Sequence, residues 1–371
     1  MLDTLPPLDA ALARFARITH PAPTPAAERA AMIADPGFGR VFTDHMVTIR
    51  FRAGQGWHDA QIGPREAISL DPSAAVLHYA QEIFEGLKAY RRPDGRIALF
   101  RPEANARRLR ASAERMAMEQ LPEDLFLDSV KALALVEREW IPAIPGGSLY
   151  LRPFLIGSDV FLGVKPSAEY IFAVIASPAG GYFKGGVDAV SLWVSTDYTR
   201  AAPGGTGAAK CGGNYAASLI AQAEAARRGH HQVLFLDAAE RRWIEELGGM
   251  NIFFVFHDGT LLTPPLTGTI LPGITRDSLI TLAREQGMTV REERYAIDQA
   301  QADAQSGRLV EAFACGTAAV VMPIGSMTVG DTRFVIGNGE PGRVTAALRD
   351  TLTALQFGRA PDPHGWHQLI D

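Results

Sequence analysis

Residues 203–215 read Pro-Gly-Gly-Thr-Gly-Ala-Ala-Lys-Cys-Gly-Gly-Asn-Tyr. An apolar run, Ala189-Val-Ser-Leu-Trp-Val, precedes them, and a segment from Tyr215 to Arg228 with helical character follows, closed by Gly229. Asn214 reads as that helix's N-cap. A glycine-rich turn from strand to helix is where phosphate loops occur, so the pattern G-x-x-x-x-G-K-[ST] is the first test. With Lys210 aligned, Gly204 fits the first position, but Ala209 replaces the second glycine and Cys211 the hydroxyl. No G-x-G-x-x-G follows a strand either, which removes the main support for a nucleotide-binding ATPase or a dehydrogenase. What remains is a lysine among small residues, with room for a cofactor to approach its amine.

Outward from this loop, 371 residues predict two domains. Apolar residues at 47% and charged residues at 21% are those of a folded globular chain. The net charge of −5 and the absence of basic clusters longer than Arg107-Arg108 or Arg227-Arg228 leave no footprint for nucleic acid. Two cysteines, Cys211 and Cys315, build no disulfide framework and suit a reducing cytoplasm. The longest apolar run, Ala312 to Ile324, is interrupted by Gly316 and Pro323 and falls short of the ~18 residues a membrane span needs. The first thirty residues lack the apolar core of a secretory signal. The expectation is therefore a cytoplasmic protein without a membrane partner.

The pattern predicts an α/β (α+β) chain: a small N-terminal domain over residues 1–176, a linker over 177–188 and a larger C-terminal domain over 189–371. The lead-in to about residue 40 is Pro- and Ala-rich and is expected to wrap the first domain. Lys88-Ala-Tyr-Arg-Arg and Arg96-Ile-Ala-Leu-Phe flank Pro93-Asp94-Gly95 as a hairpin. Leu109, Ala113, Met116 and Ala117 mark one covering helix, and Phe126, Val130 and Leu133 a second. In Ser148-Leu-Tyr-Leu-Arg-Pro the alternation puts Tyr150 and Arg152 on one face. Later come a strand at 232–237, a hairpin turning at His257-Asp-Gly, and a helix after Pro272-Gly273 in which Thr275 reads as N-cap and Ile274 with Leu279 as a hydrophobic staple.

Of 36 basic residues only five are lysines, at 88, 131, 165, 184 and 210, so amine chemistry has few places to reside. The helix start at Gly273-Ile274-Thr275 favours an anion, and a phosphate there would want a cation such as Arg101 or Arg200. Glu245-Glu246, before Leu247-Gly-Gly-Met-Asn, could serve a protonated pyridine nitrogen or simply be solvated turn carboxylates. Ala314-Cys-Gly-Thr-Ala-Ala offers backbone N–H groups to a carboxylate, or merely packs as strand. His364 and His367 lack further ligands, so no metal is expected, and no G-x-S-x-G indicates a hydrolase.

Together these blocks resemble a known family. Leu77-His-Tyr-Ala-Gln-Glu-Ile-Phe-Glu-Gly-Leu-Lys-Ala-Tyr, Leu99-Phe-Arg-Pro, Leu149-Tyr-Leu-Arg-Pro, Lys210-Cys-Gly-Gly-Asn-Tyr, Glu246-Leu-Gly-Gly-Met-Asn, Leu271-Pro-Gly-Ile-Thr-Arg and Gly316-Thr-Ala stand in the order found in branched-chain amino-acid aminotransferases. These are pyridoxal 5'-phosphate enzymes of fold type IV (class IV), and the resemblance spans about residues 40 to 370.

The resemblance implies a two-domain enzyme with the cofactor at the domain interface and Lys210 as the Schiff-base lysine and proton carrier. It implies Glu246 on the pyridine nitrogen and Tyr215 on the phenolic oxygen. Arg101, Arg200, Ile274, Thr275 and Thr317 would hold the phosphate, and Leu271 would pack under the ring. It assigns Tyr150 and the Thr317-Ala318 backbone to the substrate α-carboxylate, Phe84, Tyr79 and Tyr182 to an apolar pocket, and Arg152 to the distal carboxylate of glutamate. It further implies a homodimer in which Leu162 and Val164 reach the neighbouring site. The activity implied is ping-pong transfer of amino groups between leucine, isoleucine or valine and 2-oxoglutarate. A D-amino-acid or (R)-amine transaminase, a deaminating lyase and a non-catalytic cofactor- or nucleotide-binding protein are the alternatives. Gly249 stands where many members carry threonine, and Ala319 and Met322 where one branch carries a Cys-x-x-Cys pair.

Overall fold

The computed structural model describes residues 11–180 and 188–370. The chain forms two compact units, one of Met1–Tyr182, Ala209–Cys211 and Gln356–Asp371, the other of Phe183–Ala208 and Gly212–Leu355.

The first unit carries β1 (Ala16–Arg17), β2 (His45–Arg52), β3 (Gly56–Pro64), β4 (Glu82–Phe84), β5 (Leu87–Arg91), β6 (Ile97–Phe100), β7 (Ser148–Gly157) and β8 (Glu169–Ala179). Its helices are α1 (Ala26–Ala34), α2 (Ala75–Tyr79), α3 (Pro102–Arg115) and α4 (Glu123–Val136). The sheet order is β1-β3-β2-β8-β7-β5-β6, extended on β6 by the C-terminal strand His367–Leu369, with β4 also on β7. Apart from the parallel pair β1 and β3, the neighbours run antiparallel. One face is apolar: Val47, Ile49, Leu149, Leu151, Phe172 and Val174 pack with Leu109 and Ala113 of α3 and Phe126, Val130 and Leu133 of α4. The hairpin at Pro93-Asp94-Gly95 forms as expected, because Gly95 takes a φ of 84° that L side chains rarely adopt. Leu12 and Phe15 of the lead-in are buried in this same core.

Two details depart from the pattern. Helix α3 stops at Arg115, since Ala117 has a φ of 52° and cannot extend it, so Met116 and Ala117 lie past its end. Strand β8 continues to Ala179, with Ser177 opposite Tyr150 and Ala179 opposite Ser148. The first residues of the expected linker are thus strand, held by a partner too distant in sequence for local composition to reveal.

The second unit carries β9 (Val190–Ser195), β10 (Gln232–Leu236), β11 (Ile244–Leu247), β12 (Asn251–Phe256), β13 (Leu261–Thr263), β14 (Val290–Glu292), β15 (Leu309–Gly316), β16 (Val320–Val329) and β17 (Thr332–Val335). Its helices are α5 (Gly212–Arg227), α6 (Ile274–Glu285), α7 (Ile297–Gln305) and α8 (Arg343–Gln356). The order is β11-β10-β9-β16-β15-β12-β13-β14, with β17 on β16. Both faces are covered. Leu192, Val194, Ile252, Phe254 and Ala314 pack with Ala300 of α7, while Trp193, Val233 and Phe235 pack with Ala221 and Ala225 of α5. Burial on two sides explains why Asn251-Ile-Phe-Phe-Val-Phe is buried throughout rather than alternating. Among the described residues no helix is long and apolar enough to cross a membrane.

Both expected N-caps shift. Helix α5 starts at Gly212, and the Asn214 side chain instead binds Thr206, accepting from its Oγ1 at 2.7 Å and donating to its carbonyl at 2.9 Å. Helix α6 starts at Ile274 with Gly273 at the cap position, so Thr275 is a buried first-turn residue. In the same unit a Cβ on Gly207 would lie 2.6 Å from Thr269 backbone carbon atoms, which cannot swing aside. Gly207→Ala is therefore expected to destabilise by about 1–3 kcal/mol, read as a lowered Tm in thermal melts.

Candidate active site

Lys210 is carried by the three residues, Ala209–Cys211, that belong to the first unit although the chain on both sides belongs to the second. Ala209 and Cys211 are buried in the first unit's core and fix the tripeptide there. The Lys210 N–H donates to Ser112 Oγ of α3 at 3.0 Å, and its carbonyl accepts from the Phe84 N–H at 2.9 Å. The half-buried side chain rises over Phe84, with Nζ 4.9 Å from the ring centroid. Around it lie a wholly buried carboxylate, Glu85, ion-paired to Arg108 at 2.7 Å, and the pair Tyr150 and Arg152. Arg152 Nη2 donates to the Tyr150 hydroxyl at 3.0 Å, as their shared strand face predicts, and its guanidinium lies 4.7 Å from the Phe84 centroid.

Burial first, then the Arg108 charge, pulls the Lys210 amine down to about 8, with Glu85 and Tyr150 opposing and Arg152 adding to the fall. A lowered value brings the neutral, nucleophilic amine to lower pH. Acylation of Lys210 should therefore quicken about tenfold between pH 6 and 7 and level off above about pH 9, as trace labelling with mass spectrometry would show. An ordinary lysine would keep accelerating past pH 10.

The other first-unit candidates are spread more widely. Arg101 has a φ of 52° and places its guanidinium 4.8 Å from the Trp366 ring centroid. Tyr79 is 37% exposed and stacks near Phe161 at 6.2 Å, while Leu162 and Val164 are 73% and 93% exposed. Tyr182 lies outside the described residues.

In the second unit, β11 presents Glu246 almost fully buried. Its Oε1 accepts from Arg200 Nη1 at 2.9 Å and from the Leu271 N–H at 2.9 Å, and its Oε2 accepts from Asn251 Nδ2 at 3.3 Å. Asn251 also donates to the Leu271 carbonyl at 3.0 Å. Neighbouring Glu245 points elsewhere, accepting from Thr269 Oγ1 at 2.5 Å, and burial pushes its carboxyl upward. The structure places the Arg200 guanidinium against Glu246 and the carbonyls of Thr269 at 2.9 Å and Gly207 at 3.4 Å, where it supplies the counter-charge that a buried carboxylate needs close by.

Tyr215 stands in the first turns of α5, and a Cβ on Gly249 would lie 3.3 Å from its ring. The glycine at the usual threonine position thus leaves Tyr215 space that a larger residue would crowd. Ile274 and Thr275 open the 12-residue helix α6, with Gly273 at its cap position. Thr317 and Ala318 follow β15, half-buried at the turn into β16.

Sequence reasoning missed Glu85, Asn105, Arg108 and Asn251 as site residues. Glu85 and Asn251 lie inside the motif blocks, and Asn105 with Arg108 at i, i+3 shares a helix face, so a signal existed.

Comparison with known proteins agrees with this geometry. The family profile described as amino-transferase class IV matches residues 82–327. A probable branched-chain-amino-acid aminotransferase of Streptomyces coelicolor is 57% identical over 344 residues, covering 92% of this chain and 95% of that protein. The crystal structure of the Escherichia coli branched-chain amino acid aminotransferase superposes with a TM-score of 0.72 at 30% identity, over 87% of this chain and 99% of that one. The branched-chain amino acid aminotransferase of Thermobaculum terrenum, solved in its PLP-form, gives a TM-score of 0.71 at 25% identity, over 88% of this chain and 98% of that one. With more than half its length inside the family profile, and a relative sharing most of its residues over nearly the whole of both sequences, the chain belongs to the class IV amino-transferase family.

Proposed function

We propose that this protein exchanges amino groups between branched-chain L-amino acids and 2-oxoglutarate by a ping-pong mechanism with pyridoxal 5'-phosphate. The observation that carries the reading is Lys210, a half-buried lysine whose amine is brought down to about 8 by burial and Arg108, in a chain 57% identical to a probable branched-chain-amino-acid aminotransferase. The residues fit the cofactor. A buried carboxylate on three hydrogen-bond donors suits a ring nitrogen, Tyr215 beside Gly249 suits a phenolic oxygen, and the start of α6, where Gly273 precedes Ile274 and Thr275, suits a phosphate. When bound, pyridoxal phosphate supplies an aldehyde for the amino group and a ring that accepts electron density from Cα.

The protein's own residues do the rest. Lys210 would yield its place on the cofactor to the substrate amine, and its freed amine would move the proton from Cα to the carbon that bore the aldehyde. Glu246, ion-paired to Arg200 at 2.9 Å, would hold a proton on the ring nitrogen. Arg101, the Ile274 and Thr275 backbone and the Thr317 hydroxyl hold the phosphate, and Leu271 packs beneath the ring. Tyr150 and the Thr317-Ala318 backbone take the α-carboxylate. Phe84 and Tyr79 form apolar wall, and Arg152, stacked on Phe84, takes the second carboxylate of glutamate. A cation lying on an aromatic wall lets one pocket accept both an aliphatic chain and a carboxylate.

The exposure of Leu162 and Val164 supports a homodimer in which a second copy covers them. Two free, buried cysteines support a reducing, cytoplasmic setting.

The test is a single half-reaction. The loaded enzyme mixed with L-leucine should lose its visible absorbance band within one turnover, and 2-oxoglutarate should restore it. Conversion by D-alanine or an (R)-amine, with none by L-leucine, would keep the family and replace the substrate.

A further inference from the structure

Glu85 is 0% exposed, yet it is charged; its side-chain partners come from one face of α3, and the Gly86 N–H adds a bond to Oε2 at 3.2 Å. Arg108 Nε donates to Oε1 at 2.7 Å and Nη2 to Oε2 at 2.8 Å, while Asn105 Nδ2 donates to Oε2 at 2.6 Å. Burial alone would raise the Glu85 carboxyl, but Arg108, then Lys210 and Asn105, hold it below the usual carboxylate range. Buried ion pairs seldom add stability, since apolar replacements of the same volume are often neutral or better. The pair therefore calls for an explanation other than stability, and its mounting supplies one. Phe84, the residue before Glu85, donates its N–H to the Lys210 carbonyl, and Ser112, one turn beyond Arg108, accepts the Lys210 N–H. The Lys210 backbone is thus gripped by α3, which carries Arg108, and by the residue next to Glu85.

We infer that Glu85 and Arg108 are positioning residues, an opposed charge pair seated beside Lys210 in which Glu85 shields the amine from the Arg108 guanidinium. This rests on the reading of Lys210 as the amine that exchanges with the cofactor. The charged and titratable groups facing that amine are Glu85 before β5, Arg108 on α3, and Tyr150 with Arg152 on β7. Arg108 and Arg152 disfavour the ammonium form, whereas Glu85 and Tyr150 favour it. With the pair intact the two charges largely offset each other, and burial decides the outcome. With Glu85 neutral, a guanidinium that cannot lose its proton is left beside the amine.

The experiment reads Lys210 directly in the full chain freed of cofactor, by trace acetylation across pH 6–10 and quantification of the Lys210 peptide. Glu85→Gln should lower the Lys210 midpoint by about one pH unit, making labelling at pH 7 about fivefold faster. Adding Arg108→Gln to that variant should return the midpoint to within a few tenths of the wild-type value. A structural role alone would not produce a shift that a second substitution reverses. An unmoved midpoint in Glu85→Gln, or a double variant that stays shifted, would overturn the inference. If the double variant does not fold, Glu85→Asp, which keeps the charge, should hold the wild-type midpoint, and failure to do so counts against it equally. Borohydride trapping of the loaded wild-type enzyme separates the two readings: no label at Lys210 sinks the functional assignment, while a label at Lys210 with unmoved midpoints sinks only the charge-pair role.

Discussion

Lys210→Ala is expected to reduce transamination by on the order of 10⁴-fold or more while leaving the protein folded. The two halves of that expectation have different physical origins. The fold is spared because Lys210 is held through its backbone, by the Ser112 hydroxyl and the Phe84 N–H, and alanine keeps both bonds. What the side chain gives up is its place over the Phe84 ring, a cation–π contact worth about 0.5–1 kcal/mol where solvent reaches it. The reaction is not spared, because the chain has only five lysines. Of the others, Lys88 is buried on β5, and Lys165 is 58% exposed at its side chain and paired with Asp159. The variant should still take up pyridoxal phosphate, without the covalent link that borohydride fixes. Thermal melts, trapping and turnover on one preparation separate these outcomes. Wild-type turnover in Lys210→Ala would refute the mechanism. Partial recovery on adding a small primary amine would support it, since such an amine can replace the lost group but not the lost geometry.

How much of this was legible in the sequence depends on whether a feature is local. The hairpin over Leu87–Phe100, the shared face of Tyr150 and Arg152, and the covering helices of the first unit all follow from periodicities of two and 3.6, and they are where the pattern puts them except that α3 ends before Met116 and Ala117. The N-caps were not, because Asn214 and Thr275 are good cap residues only if the helix begins just after them. Asn214 is instead claimed by Thr206, eight residues earlier. The pairing of the C-terminal strand with β6, and the assignment of Ala209–Cys211 to the first unit, are long-range facts that no window of sequence contains. Arg200 shows the same limit in the site. Among so many arginines, composition says that a cation is present but not which anion it meets, and the geometry sets Arg200 against the Glu246 carboxylate. Glu85 was legible as part of a motif, but its buried partner on α3 appears only once the helix is folded against it.

Glu246→Gln is expected to cost both stability and turnover, and a second substitution should pull the two apart. Glu246 and Arg200 are 2% and 3% exposed at their side chains, so removing the carboxylate's charge strands a guanidinium that cannot deprotonate in a nearly dry site. Losing one partner of such a pair costs about 3–5 kcal/mol. The amide cannot make good the loss, since its NH₂ would face donors: Arg200 and the Leu271 N–H at one oxygen position, Asn251 at the other. Turnover should fall by about 10²–10³, because nothing anionic then holds a proton on the ring nitrogen, and negative charge developing at Cα loses its sink. Replacing both residues, as Glu246→Gln with Arg200→Met, removes the stranded charge and should recover most of the lost Tm, since apolar substitutes for a buried pair are often neutral or stabilising. It should recover none of the lost turnover, because the ring nitrogen still lacks its anion. Melting curves and kcat on the single and double variants decide the matter. Turnover that returned together with stability would mean that Glu246 acts by holding the fold, and the ring-nitrogen role would have to be given up.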